Sequence, residues 1–155
     1  RCDAYTSDAS ALYAVRLRLP KPAEHVVLPQ IISKEPLGPA VRQGDDVWLN
    51  VVKWTHNAMI NAEELGVTQS NVDDMMNSKN PEIRRLVGVE GDFGKSLGLT
   101  KDWAYRIIKA VGNYGESFER NVGLKSSLKI DRGLNALWSH PDDKKRGLMY
   151  APPIR

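Results

Sequence analysis

The hydrophobic and polar positions of the chain fall into two regimes. Residues 46–65 repeat at helical spacing: Val47, Trp48, Val51, Val52, Thr55, Ala58, Met59, Ala62 and Leu65 form one face, and Asn50, Lys53, Asn57, Asn61 and Glu64 the other. Asp45 is placed to cap the positive end of this helix and Gly66 to end it. Before it the pattern is extended. Residues 2–6 suit a short strand that stops at Ser7-Asp8, and His25 to Ile32 is β-branched and apolar but interrupted by Pro29, which favours an edge or crossing strand. Leu37 to Arg42 is a further extended segment between prolines.

Ser7 or Asp8 offers an N-cap for a helix over Ala9 to Leu19, closed by Pro20 and Pro22. After the long helix the spacing predicts short helices over 69–77 and 81–87, the second started by Asn80 and Pro81. Gly88 to Gly98 carries four glycines and reads as a loop. Thr100 is the expected cap of the next helix, with Trp103, Ile107, Ile108 and Val111 inward. A short helix follows over Glu116 to Asn121, and a last one is expected over Ile130 to Trp138, before an extended tail ending at Pro152-Pro153. Trp48, Trp103 and Trp138 fall on apolar faces, whereas Trp54 lies off its stripe and is the expected surface contact.

The 155 residues suffice for one ordinary core, and no apolar run approaches the ~18 residues of a membrane span. The net charge of +3 is unevenly spread: +1 over residues 1–25, −2 over 26–88, 0 over 89–123 and +4 over 124–155. Only the tail is basic, which argues against an extended nucleic-acid track. Cys2 is the single cysteine, so no disulfide closes within the chain. A buried thiol and a bond to a partner elsewhere both remain open. The chain also starts without an initiator Met or an export signal, directly before an apparent strand, and so reads as the C-terminal part of something longer.

Most candidate chemistry has a structural explanation. Gly88-Val-Glu-Gly-Asp-Phe-Gly-Lys-Ser96 ends like a phosphate-binding loop, but position 89 is Val where the motif needs Gly, and no buried strand precedes it. His25, His56 and His140 share no metal-ligand spacing. Asp45-Asp46, Asp73-Asp74 and Asp142-Asp143 are explained as caps, a solvated helix face and a charged turn. No local grouping marks a nucleophile with its base. Asp8 has two readings: an N-cap carboxylate worth about 1 kcal/mol, or a ligand contact at the strand-to-helix turn, where α/β folds bind ligands.

Four segments carry a family resemblance. They are Arg1-Cys-Asp-Ala-Tyr-Thr-Ser-Asp8, Ile32-Ser-Lys-Glu-Pro-Leu-Gly-Pro-Ala-Val-Arg-Gln-Gly-Asp-Asp46, Ala110-Val-Gly-Asn-Tyr-Gly-Glu-Ser-Phe-Glu-Arg-Asn-Val-Gly123 and Tyr150-Ala-Pro-Pro-Ile-Arg155. Together they resemble the general L-amino-acid-binding branch of the periplasmic amino-acid-binding proteins of ABC importers. The resemblance implies an α/β, type II periplasmic-binding-protein fold, of which this is a helix-rich C-terminal portion. It implies that residues 1–24 end the second lobe, 25–32 form an inter-lobe crossing, and 33–155 are the C-terminal part of the first lobe with a helical extension and tail.

On the same resemblance Asp8 binds the ligand's α-ammonium group, and Thr6 and Ser7 line the cleft. No carboxylate-binding role transfers to Arg16, Arg18 or Arg42, because none sits in the family's motif. The expected partners are an L-amino acid and the transmembrane subunits of an ABC permease, in the periplasm, with no cofactor, no metal, no nucleic acid and no catalysis. Residues 66–99 exceed the length usual in small members. Exposed apolar faces in the isolated portion also predict self-association. The competing reading is a helical interaction module whose basic tail binds a protein or nucleic acid.

Overall fold

Hydrogen bonds local to the chain shape a helical body over residues 46–123. The computed structural model describes residues 2–33 and 35–155. Its helices are α1 (Ala9–Arg16), α2 (Asp46–Glu64), α3 (Val72–Met75), α4 (Pro81–Leu86), α5 (Trp103–Val111) and α6 (Tyr114–Asn121). Single 3₁₀ turns occur at Pro22–Glu24, Lys95–Leu97, Gly133–Asn135 and Asp143–Lys145.

The start of α2 is as expected: the Asp45 carboxylate accepts from the Trp48 N–H at 3.0 Å. Its end is a Schellman motif, in which Gly66 adopts φ +69°, its N–H reaches the Glu63 carbonyl at 3.1 Å, and Val67 N–H reaches Ala62 at 2.7 Å. Helix α4 repeats both devices. Asn80 caps it through Glu82 N–H at 2.9 Å, and Gly88 ends it at φ +78° with Val89 N–H on Arg84. No side chain is tolerated at Gly88, because a Cβ there would stand 2.2 Å from the Lys101 carbonyl oxygen.

Closing each helix this way turns an apolar residue back into one core. Ala58, Ala62, Val67, Val72, Leu86, Val87, Ala104 and Ile108 are sealed from solvent where α2, α4 and α5 meet, with Trp103 beside them. The inward face of α2 differs from the expected one. Ile60 is buried, and so are Asn57 and Asn61, which the pattern assigned to the outer face. Asn61 is satisfied there by donating Nδ2 to the Asn57 carbonyl at 3.0 Å and to the Pro152 carbonyl at 2.8 Å. Conversely Val47, Trp48 and Leu49 at the start of the helix are exposed. Trp54, expected outside, packs partly buried against the core, while Trp138 is half exposed.

Two further expectations are corrected. Thr100 does not cap α5: Asp102 occupies the cap position, without a side-chain cap bond, and Thr100 contributes its carbonyl to Trp103 N–H at 3.1 Å. The helix over 130–138 shrinks to the turn Gly133–Asn135. Its carbonyls are used elsewhere, since Leu148 N–H bonds Leu134 O at 2.8 Å and Met149 N–H bonds Ala136 O at 3.0 Å. Lys129 and Gly133 also take positive φ, which a continuous helix forbids.

Among the described residues no strand forms; Leu137 and Met149 make an isolated parallel bridge. Residues 2–7, 25–33 and 35–42, where strands or extended segments were expected, carry no regular secondary structure and bend at Asp3 and Pro29; no neighbouring segment pairs with them, and a strand exists only through its ladder. Helix α1 stops at Arg16 and buries no residue.

Candidate functional site

Thr6, Ser7 and Asp8 enter α1 as an exposed segment without regular secondary structure. Asp8 is the N-cap by backbone, with φ −55° and ψ 142°, and its carbonyl accepts Leu12 N–H at 2.9 Å. Its carboxylate makes no cap hydrogen bond. The local explanation for an acidic group at this position is therefore not used. None of the ion pairs among the described residues involves Asp8. The helix end presents unpaired N–H groups and a positive dipole behind a carboxylate that faces solvent.

A second polar constellation, which the sequence reading missed, ties the tail to the helical body. Arg132 pairs with Glu63 at 2.9 and 3.1 Å, both side chains about one-fifth exposed. The guanidinium also lies 5.3 Å from the Tyr114 ring centroid and 5.2 Å from that of Phe118, and it donates to the Asn135 carbonyl at 2.8 Å. Gly115 lies beneath it, where a Cβ would sit 2.8 Å from Arg132 and Glu63 and would oblige the ends of the paired side chains to shift. His56 meets the Tyr114 ring edge-on at 5.5 Å. Burial lowers the His56 pKa and raises that of Tyr114, which the Arg132 charge partly offsets.

The start of α6 joins this cluster to the core. Asn113 and Glu116 form a capping box, each accepting the other's backbone N–H at 2.9 Å, while Asn113 Nδ2 donates to the buried Val67 carbonyl at 2.8 Å. The Asn-x-x-Glu spacing was legible in the sequence. The Arg132–Glu63 contact was not, since no local signal joins positions 69 residues apart.

On the surface, Asp73 accepts from Tyr105 Oη at 2.8 Å and from Lys109, and these bonds hold its pKa below the usual carboxylate range. A groove lies between the ends of α2 and α4 and the tail, walled by Asn61, Leu65, Leu86, Trp138, Tyr150 and Ile154. Among the described residues no three His, Cys, Asp or Glu side chains converge as a metal site, and no helix is long and apolar enough to cross a membrane.

No protein-family model matches the chain. The general L-amino acid-binding periplasmic protein AapJ of Rhizobium johnstonii is 62% identical over 157 residues, covering all of this chain and 45% of that protein. The putative amino-acid ABC transporter-binding protein YhdW of Escherichia coli is 56% identical over the whole chain and 44% of its own length. The glutamate/glutamine/aspartate/asparagine-binding protein BztA of Rhodobacter capsulatus is 54% identical over 99% of the chain and 44% of its length. This chain belongs to the periplasmic binding proteins of amino-acid ABC transporters.

The fold agrees. A solved periplasmic binding protein of an ABC transporter from Brucella ovis, with glutathione bound, superposes at a TM-score of 0.91 and 60% identity, over all of this chain and 47% of that one. The helix-rich architecture is thus that of a portion of a periplasmic binding protein. The chain spans a little under half the length of the relatives it matches.

Proposed function

We propose that the chain is the C-terminal portion of an extracytoplasmic solute-binding component of an ABC importer, which captures L-amino acids in a two-lobe cleft in the periplasm and delivers them to the permease. The observation that carries this reading is identity of 54–62% along the whole chain with proteins named as amino-acid-binding components. In this reading residues 1–24 end the second lobe, 25–32 are the crossing between lobes, and 33–155 complete the first lobe. Its role is binding, with no chemical step: closure buries a zwitterion whose charges must be paired, and the ligand shifts an open–closed equilibrium.

Asp8 is the proposed counter-charge for the ligand's α-ammonium group, with Thr6 and Ser7 beside it in the cleft. Supporting this, its carboxylate is not used to cap α1. Glutathione, bound in the Brucella ovis relative, carries a free α-amino group on its γ-glutamyl residue and so meets the same requirement as an amino acid. In the full-length protein Asp8→Ala should keep the fold and weaken amino-acid binding by about 3–5 kcal/mol, the cost of an unpaired buried charge. Calorimetric titration with L-amino acids and with glutathione checks this. Unchanged affinity for both ligands refutes the assignment of Asp8.

A further inference from the structure

The tail carries a feature that amino-acid capture does not use. Residues 124–155 hold seven Lys and Arg against three Asp, and thus the whole positive excess of the chain. The same segment exposes Leu148 (73%), Tyr150 (60%), Leu134 (53%) and Trp138 (50%). Along 148–151 the pattern alternates: Leu148 and Tyr150 are exposed, while Met149 and Ala151 turn inward. Trp138 meets Tyr150 edge-to-face at 5.9 Å, so the two aromatic rings form one ridge.

The backbone under this ridge is already hydrogen-bonded. Trp138 N–H reaches Met149 O at 3.0 Å, Gly147 N–H reaches Leu137 O at 3.1 Å, and Leu148 and Met149 bond Leu134 and Ala136. Gly147 permits this approach, because a Cβ there would lie 2.2 Å from the Ala136 carbonyl oxygen. A loop with its N–H groups satisfied can enter a weakly hydrated interface without leaving them orphaned. The connection between the paired segments bears Lys144, Lys145 and Arg146, all exposed. Arg146 pairs with Asp143 at 2.8 Å and Lys145 with Asp142 at 3.8 Å, solvent-exposed contacts that an anionic surface can outcompete.

We infer that this ridge and its basic turn form a contact for an anionic bilayer surface, Trp138, Leu148 and Tyr150 resting among the headgroups and Lys144, Lys145 and Arg146 against lipid phosphates. Amphipathic rings with adjacent flexible cations are the chemistry of a membrane interface. Among the described residues the cations are held only by these solvent-exposed pairs and by one bond from Arg146 Nε to the His140 carbonyl at 3.1 Å, which fits a diffuse anionic surface better than a shaped protein pocket. The groove on which Trp138 and Tyr150 border also carries Glu64 and Glu82. Repulsion of these two carboxylates keeps the floor of the groove off an anionic surface and leaves its aromatic rim and the basic turn to meet the lipid.

The test is co-sedimentation of the full-length protein with vesicles of phosphatidylcholine alone and of phosphatidylcholine mixed with phosphatidylglycerol. Binding is expected only to the mixed vesicles, with loss at ~1 M NaCl. Lys144→Gln/Lys145→Gln/Arg146→Gln should lower it by about tenfold or more. Trp138→Ser should weaken it too, and both variants should keep their circular dichroism and amino-acid affinity. Equal binding to neutral vesicles, an unaffected triple variant, or no binding because the remaining polypeptide covers this face, each overturns the inference. Binding of an acidic peptide in place of vesicles also overturns it, and assigns the face to a protein partner.

Discussion

The helical body over 46–123 and the arm over residues 2–33 and 35–45 have similar apolar content but opposite fates. In the body, Ile108, Leu86, Val67 and Val72 lose essentially all their exposure; in the arm, Val26, Leu28, Ile31, Ile32 and Leu37 retain more than two-thirds of theirs. The difference lies in how each element satisfies its backbone. A helix closes its hydrogen bonds within a few residues and needs a neighbour only for its apolar face, whereas an extended segment needs a partner for every second N–H and C=O. Within this chain the body finds its neighbours and the arm does not. The arm is therefore left as apolar, partly β-branched sequence without ladders.

Core substitutions should separate the two regions most sharply. Ile108→Ala is expected to cost about 2–5 kcal/mol in denaturant unfolding, whereas Leu28→Ala, at a site 68% exposed, should change the same measurement by less than about 0.5 kcal/mol. A comparable loss at both sites would mean that the arm is packed, and would erase the contrast.

Next in size is the clamp that holds the tail to the body. Arg132→Met keeps the length of the side chain but leaves Glu63 four-fifths buried without its cation, and should cost about 2 kcal/mol. Hydrogen exchange should then speed up at Leu148 and Met149, whose N–H groups are bonded within the tail, before it does in α2. Uniform acceleration would show that tail and body unfold as one unit.

The smallest effect concerns pH. Burial lowers the His56 pKa below its unfolded value, so the folded state holds its proton less tightly. Stability from this group is complete above about pH 6.5 and declines as pH falls from there toward the lower folded value. Thermal melts should show that decline for the chain and a shallower one for His56→Gln. An identical slope in both would remove His56 as its source.

Local chemistry made much of the body readable. The Asp45 and Asn80 caps, the stops at Gly66 and Gly88, and the short helices between them all rest on groups within five residues of each other. The same locality explains the misreadings. Asn57 and Asn61 looked like surface residues because amides usually are, but the Pro152 carbonyl, 91 residues from Asn61, makes its burial tolerable. The helix over 130–138 failed because Leu148 and Met149 compete for its carbonyls. At the candidate site, the place of Asp8 at the entrance to a helix was legible, and its unused carboxylate was not.

By itself the sequence determined the caps of α2 and α4, the glycine stops that end them, and the family to which the chain belongs, because caps, stops and motif residues act over little more than a single turn or are compared position by position. The tertiary structure alone decided which face of α2 is inner, that Arg132 clamps Glu63 between two aromatic rings, and that the tail lies back over α2 and α4. Those outcomes depend on groups far apart in the chain. Their energies arise only when folding removes both partners from water at once, and no one-dimensional pattern contains that coincidence.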